Sequence, residues 1–388
     1  MSRELKPGWK MVKFGDVVRN ANLMERDPQK AGIERIVGLE HIDPENLHIK
    51  RWASLEDGTS FSRKFVSGQT LFGKRRAYQK KVAFAEFEGI CSGDILTFET
   101  KDPKILLPEL LPFICQTDSF FEYALGTSAG SLSPRTSWSA LKDFTFPLPP
   151  LEEQKRMAEV LWTADEAVER YRNCFENHCS FRNIFLEHTH HYGMRYNNIE
   201  LNELPDGWTL STVGKACFIQ NTLRKPLSSS VRMKMQGEYP YYGPTGVLDF
   251  INEYRVDGKY VLIGEDGDHF LKYATWDMTQ IINGKCNVNN HAHILSGTDV
   301  CLTEWIYYYF KHRDILPYLS RQGAGRLKLN KKTLEQIPIV LPPVDEQSIL
   351  CSMYASIDKS LLQIQNNIAE TTNILKILNN IYIGASHV

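Results

Sequence analysis

The pattern of apolar and polar positions divides the chain into four stretches. Up to about residue 150, short alternating runs such as Arg35-Ile36-Val37-Gly38-Leu39-Glu40 are separated by turn residues, which predicts strands. Beyond Pro149-Pro150, Gly and Pro thin out, and Met157, Leu161, Ala164, Val168, Tyr171 and Phe175 step by four and three, the heptad seam of a long helix. Strand-like runs return from about 200 to 343, with Tyr260-Val261-Leu262-Ile263 as a buried strand. A second seam then passes through Ile357, Leu361, Ile364, Ile368, Thr371, Leu375, Leu378 and Tyr382. A helix over 345–383 would span about 58 Å at about 1.5 Å per residue.

The order is globule, helix, globule, helix, and the halves are two copies of one plan. Pro7-Gly8-Trp9 and Asp206-Gly207-Trp208 lie 199 residues apart by their tryptophans, and each tryptophan is followed six residues later by a glycine, Gly15 or Gly214. Phe146-Pro147-Leu148-Pro149-Pro150-Leu151-Glu152-Glu153-Gln154 and Ile339-Val340-Leu341-Pro342-Pro343-Val344-Asp345-Glu346-Gln347 match 193 residues apart. Each is an apolar run kept extended before Pro-Pro, then an acid-acid-Gln start suited to the positive end of a helix. The seams coincide under the same offset, Ala164 with Ile357 and Val168 with Leu361, which predicts that the helices pair with each other. The expected fold is mixed α/β. Two α/β domains (1–150 and 198–343) repeat in tandem, separated by two long helices (151–197 and 344–388) forming an antiparallel coiled coil with pseudo-two-fold symmetry.

Composition narrows the class without identifying it. With 388 residues, 42 % hydrophobic and 23 % charged, the chain is long enough for two or three globular domains. Lys plus Arg (45) against Asp plus Glu (46) leaves a net charge of −1, so a nucleic-acid partner would have to be met by local patches. No apolar run is long enough for a membrane span, and the charged start, Met1-Ser2-Arg3-Glu4-Leu5-Lys6-Pro7, is unlike a signal peptide, so a cytoplasmic protein is expected. Eight scattered cysteines without CxxC pairs suit reduced thiols.

The densest basic run is Lys74-Arg75-Arg76-Ala77-Tyr78-Gln79-Lys80-Lys81, which offers cations to phosphates and a tyrosine to backbone or base edges; a solvated face would carry the same residues. The overlapping Gly68-Gln69-Thr70-Leu71-Phe72-Gly73-Lys74-Arg75 falls short of a P-loop, because Arg75 stands where a hydroxyl would hold Mg²⁺. In the second globule, Tyr239-Pro240-Tyr241-Tyr242-Gly243 and Lys285-Cys286-Asn287-Val288-Asn289-Asn290-His291 supply aromatics and amides that suit base edges or, equally, structural turns. Gly- and cation-bearing stretches precede each Pro-Pro, with Gly130 matching Gly323, Arg135 in the first and Arg326 and Lys328 in the second. Cys174, His178 and Cys179, followed by His188, His190 and His191, lack a usual zinc spacing. No HExxH, paired-carboxylate or adenine-methyltransferase signature stands out, and Glu265-Asp266-Gly267-Asp268 reads as an acidic turn.

Together these features resemble the DNA specificity subunit of type I restriction-modification systems, over essentially the whole chain. The tandem Pro-Pro-acid-acid-Gln helix openings carry most of the likeness. Tyr241-Tyr242-Gly243-Pro244-Thr245-Gly246 with Val288-Asn289-Asn290-His291, and Leu71-Phe72-Gly73-Lys74-Arg75-Arg76 with Gly89-Ile90-Cys91-Ser92, are similar to target recognition domains of that family. The resemblance implies a non-catalytic subunit whose two domains each read half of a split double-stranded DNA site. It implies two methyltransferase subunits bringing S-adenosylmethionine, and restriction subunits bringing ATP and Mg²⁺. By position it would turn Lys74, Arg75, Arg76, Tyr78, Lys80, Lys81 and Arg135 toward DNA in the first domain, and Tyr241, Tyr242, Lys285, Asn289, Asn290, Arg326 and Lys328 in the second. A nuclease or methyltransferase acting alone, or a coiled-coil interaction scaffold, are the alternatives.

Overall fold

Each repeated motif of the sequence has a mechanical role at the foot of a helix. The structure is a computed structural model that describes residues 5–194, 204–322 and 326–383. Strand Thr145–Leu148 pairs antiparallel with Lys10–Lys13 near the start of the chain, and Pro338–Leu341 pairs in the same way with Thr209–Thr212. The prolines then end the ladders, and helices Leu151–Met194 and Val344–Tyr382 begin with Glu152 and Glu153, and with Asp345 and Glu346, in their first turns. The Trp9 indole N–H donates to Glu153 Oε2 at 2.9 Å, and that of Trp208 to Glu346 Oε2 at 3.0 Å. Gly8 and Gly207 have φ of +82° and +81°, and a side chain on either would press on Pro150 or Pro343, at 3.0 and 3.3 Å. Both the left-handed backbone and the close approach require glycine there.

The glutamines complete the joint. Gln154 is buried; its Nε2 donates to the carbonyls of Ile105 and Pro149 (2.8 and 2.9 Å) while Oε1 accepts from Leu107 N–H (3.0 Å). Gln347 repeats the arrangement on Val300, Pro342 and Leu302 at 2.9, 2.8 and 2.8 Å. One side chain thereby satisfies three backbone groups, of which the Pro149 or Pro342 carbonyl is bonded in a buried setting.

The first domain holds a four-stranded sheet ordered Val18–Asn20, Ile95–Thr100, Thr70–Gly73, Val82–Phe84, and a five-stranded sheet in which Arg35–Val37 lies between Ala53–Ser54 and Gly89–Cys91. The strand expected over 35–40 stops at Val37, because Gly38 N–H donates to His41 Nδ1 and Leu39–His41 winds into a 3₁₀ turn. The second domain's six-stranded sheet runs Phe218–Ile219, Ala292–Ser296, Val256–Gly264, Thr279–Val288, Gln236–Tyr242, Val247–Ile251. Its first four members repeat the order of the four-stranded sheet, and Val261, Leu262 and Ile263 are buried as expected.

Two compact units divide the chain, residues 1–173 with 365–388, and residues 174–364, so each takes part of both helices. In the first unit Met157, Ala158 and Leu161 share a core with Leu375 and Ile383, which sets the start of one helix beside the end of the other, antiparallel. Every seam residue named from the sequence is buried or half-buried. In the second unit Cys351 and Tyr354 enter the domain core, and Tyr354 stacks on Tyr308 with ring centroids 4.9 Å apart.

Each helix also carries an aspartate at the 193 offset that receives a cation, half-buried on the first helix and buried on the second. His48 Nε2 lies 2.7 Å from Asp165 Oδ2, and Lys311 Nζ donates to Asp358 Oδ2 at 2.6 Å. The hydrogen bond to Asp165 holds the His48 pKa up at about 9 against the effect of burial, with Glu86 assisting from the other ring nitrogen. Burial opposes the charge on Lys311, but Tyr307, Asp277 and Asp358 outweigh it and raise its pKa. All eight cysteines are free thiols, and no described helix is long and apolar enough to cross a membrane.

Candidate nucleic-acid interface

In the first domain the basic run leaves the end of strand Thr70–Gly73, where Gly73 is paired with Ile95. Beyond that pair the backbone forms a small frame. Lys74 N–H donates to Asp94 O (3.0 Å), Thr136 N–H to Lys74 O (3.0 Å) and Arg76 N–H to Pro134 O (2.8 Å), and Arg75 makes an isolated bridge to Arg135. Asp94 N–H donates to Ser92 Oγ (3.2 Å), which fixes the turn carrying the carboxylate. The Asp94 oxygens accept from Arg75 Nη1 (3.4 Å) and Arg135 Nε (3.1 Å), and Arg75 Nε donates to Ser133 Oγ (2.6 Å). Arg63 reaches in from a neighbouring strand to the carbonyls of Gly93 and Ile95. Two guanidiniums thus meet one carboxylate, with Arg63 and Lys74 close by. Burial, with Arg63 and Arg135, pulls the Lys74 pKa down against the pull of Asp94. Arg76, with φ +53°, and Tyr78 stand exposed beside this cluster.

The second domain builds the same frame on different side chains. Gly264 pairs with Ala292 at the matching sheet position. Glu265 N–H donates to His291 O (2.7 Å), Leu329 N–H to Glu265 O (2.7 Å) and Gly267 N–H to Leu327 O (3.1 Å), and Asp266 bridges to Lys328. His291 N–H donates to Asn289 Oδ1 (2.8 Å), and Arg224 donates to Asn290 O as Arg63 does to Gly93 O. Asp266 therefore occupies the place of Arg75, and His291 that of Asp94. The carboxylate has changed places across the pair, with His291 Nδ1 lying 2.9 Å from Asp266 Oδ2. Arg326 donates to Asp266 Oδ1 (2.7 Å), while Glu265 receives Arg224 (2.6 Å) and Lys328 (3.6 Å).

The sequence candidates separate accordingly. Lys74, Arg75 and Arg135 meet in the first frame, and Arg326 and Lys328 in the second. Asn290 is exposed and lends its carbonyl to the frame, and Lys285 is exposed with its ammonium 4.6 Å above the Tyr254 ring. Others hold the fold instead. The Lys80 ammonium bonds Asp118 at 2.8 Å, with Glu45 close by, and Lys81 donates to Leu39 O. Tyr241 is 1 % exposed, its hydroxyl donating to Lys225 O and accepting from Leu227 N–H, so it does not face solvent. Tyr242 packs half-buried on a small apolar core, and Asn289 is buried as the cap of the His291 turn. Gly323 lies outside the described residues, as do the side chains of His188, His190 and His191. Cys174 and His178 contact each other, and among the described residues no group of three or more His, Cys, Asp or Glu could hold a metal ion. Sequence pattern alone does not single out Arg63, Asp94 or Arg224, which reach the frame from other strands and turns. The small polar residue two positions before Asp94 and before His291 is the signal that would have found those turns.

The sequence profile of the type I restriction modification DNA specificity domain matches residues 7–173 and again residues 205–372. A Haemophilus influenzae chain named as a type I restriction enzyme specificity subunit is 34 % identical over 157 residues, 40 % of this chain and only 39 % of that relative's length. A Methanocaldococcus jannaschii chain named likewise is 22 % identical over 381 residues, 92 % of this chain and 88 % of its own. The crystal structure of a type I restriction-modification system S subunit from M. genitalium superposes with a TM-score of 0.64 at 16 % identity, covering 98 % of this chain and 99 % of that one, so the fold is shared. With the profile matched once in each half of a chain built as two copies of one plan, the protein belongs to the type I restriction modification DNA specificity domain family.

Proposed function

We propose that this chain is the DNA-reading subunit of a type I restriction-modification complex, each domain recognising one half of a bipartite double-stranded site. The observation that carries this reading is the cationic frame repeated once per domain at the end of a sheet strand, with guanidinium groups left exposed. Lysines and arginines there would neutralise phosphates, and their planar forks suit purine edges. The paired helices would fix the separation of the half-sites and dock two methyltransferase subunits. S-adenosylmethionine would be brought by those subunits, and ATP and Mg²⁺ by restriction subunits. This chain contributes recognition and no chemistry.

The test is a binding titration of the assembled complex against its target duplex at several salt concentrations. The Arg75→Ala/Arg76→Ala variant should bind more weakly, with a log–log salt slope shallower by up to about 2, since each phosphate contact contributes about 0.9. Unchanged affinity and slope would remove this patch from the interface.

A further inference from the structure

The two frames share their backbone hydrogen bonds position by position while the acidic side chain changes places within them. Arg75 faces Asp94 in the first domain, and Asp266 faces His291 in the second, although Arg75 matches Asp266 and Asp94 matches His291 in the sheet register. What survives the exchange is a sheltered aspartate in contact with two more exposed side chains, joined in the second frame by a second sheltered carboxylate, Glu265. Asp94 and Asp266 side chains are 21 % and 12 % exposed, whereas Arg135 and Arg326 are 51 % and 62 % exposed. A carboxylate so placed adds nothing to the attraction of DNA and, by charge alone, opposes it. Its retention in both domains, from different chain positions, calls for another role.

We infer that Asp94 and Asp266 are positioning residues for base recognition. Each fixes the direction of two side chains, Arg75 and Arg135 in the first domain, His291 and Arg326 in the second, toward a purine edge in the major groove; the guanidiniums present donors there, while a neutral His291 with its Nδ1–H on Asp266 presents Nε2 as an acceptor. An unrestrained guanidinium serves any phosphate, whereas one held by a carboxylate presents its remaining N–H groups in one plane, as bidentate contact with guanine O6 and N7 requires. Because the side chains differ, the corresponding position of the two half-sites is read by different chemistry, two guanidiniums in one and a guanidinium with an imidazole in the other.

This rests on the proposed DNA-reading function, and the experiment separates the two. The full chain, assembled with its modification subunits, is titrated with target duplex and with a scrambled duplex. Asp94→Asn removes a negative charge from a DNA-facing surface. Positioning requires that it bind the target about 5- to 100-fold more weakly, the range of one bidentate contact, while scrambled DNA binds equally or more tightly. If target affinity rises or stays the same, Asp94 is only a charge and the inference falls. A second variant, Arg75→Asp/Asp94→Arg, reverses the pair within the frame as the second domain does. It should keep the wild-type melting temperature and, in selection from randomised duplexes, change the preferred bases in one half-site and leave the other unaltered. Selection of the wild-type sequence in both halves would overturn the inference. A wild-type complex that does not distinguish target from scrambled DNA would overturn the DNA-reading function itself, and this inference with it.

Discussion

The joint between the first domain and its helix should lose part of its stability in a defined pH window, because an imidazole bridges it to the helix. His48 bridges Glu86 and the buried Asp165, and its pKa in the folded protein stands at about 9 against an ordinary 6.5. A group whose folded pKa is raised contributes in full below its unfolded value, and the contribution disappears as pH rises through the folded one. The window therefore runs from about pH 6.5 to just above 9. At about 1.36 kcal/mol per pH unit the interval corresponds to roughly 3 kcal/mol. Glu86 is half exposed and screened by solvent, which leaves about 1–3 kcal/mol for the His48 network. The assay is urea unfolding of the full chain with fluorine-labelled tryptophan. Trp162, whose ring lies 6.3 Å from that of His48, reports the first joint, and Trp305, buried in the second core, reports the other domain. The Trp162 midpoint should fall between pH 6.5 and 9.5 while that of Trp305 holds, since Lys311 on Asp358 stays charged throughout. In His48→Gln the Trp162 profile should be flat across the window. Identical pH profiles for wild type and variant would refute the reasoning.

The remaining expectations follow from single contacts. Gln154→Leu and Gln347→Leu each strip partners from three backbone groups, one of them in a buried bond, and should destabilise their own domain by about 1–3 kcal/mol, the cost of one unsatisfied buried group, measured by calorimetry. Gly8→Ala forces a side chain into positive φ against Pro150 and should cost about 1–2 kcal/mol in the same measurement. Tyr241→Phe removes two hydrogen bonds of the buried tyrosine and should lower melting temperature with target and scrambled DNA affinities reduced alike or not at all; a selective loss of target binding would show that the ring reaches DNA. A thiol reagent on the native chain should modify the half-exposed Cys174 and Cys179 before the six buried cysteines, as mass spectrometry of digests would show.

The helix openings were legible in the sequence because their parts are local. Proline ends a ladder, an acid favours a helix start, and a glutamine five residues beyond the first proline reaches the backbone it has just left, so the constraint is written within nine residues and repeated. The seams were legible for the same reason, since a period of three and four is a local property. The frame was hidden by drift in the repeat. The halves align at 199 residues for the Gly-Trp pairs and 193 for the helices, but Asp94 matches His291 at 197 and Arg75 matches Asp266 at 191. A single offset sets Arg75 beside the wrong residue and conceals that an acidic turn and a basic run occupy one place. Residue type misled as well. Lys80 and Lys81 belong to the same basic run as Arg75, yet the backbone turns left-handed at Arg76 and again at Lys80, and the Lys80 ammonium meets Asp118, 38 residues further along, in an ion pair no local pattern announces. A cation's function depends on which carboxylate is already beside it. That information sits in strand pairing between distant segments, so in both domains the backbone frame, rather than the density of charge along the chain, identifies the side chains left free for a partner.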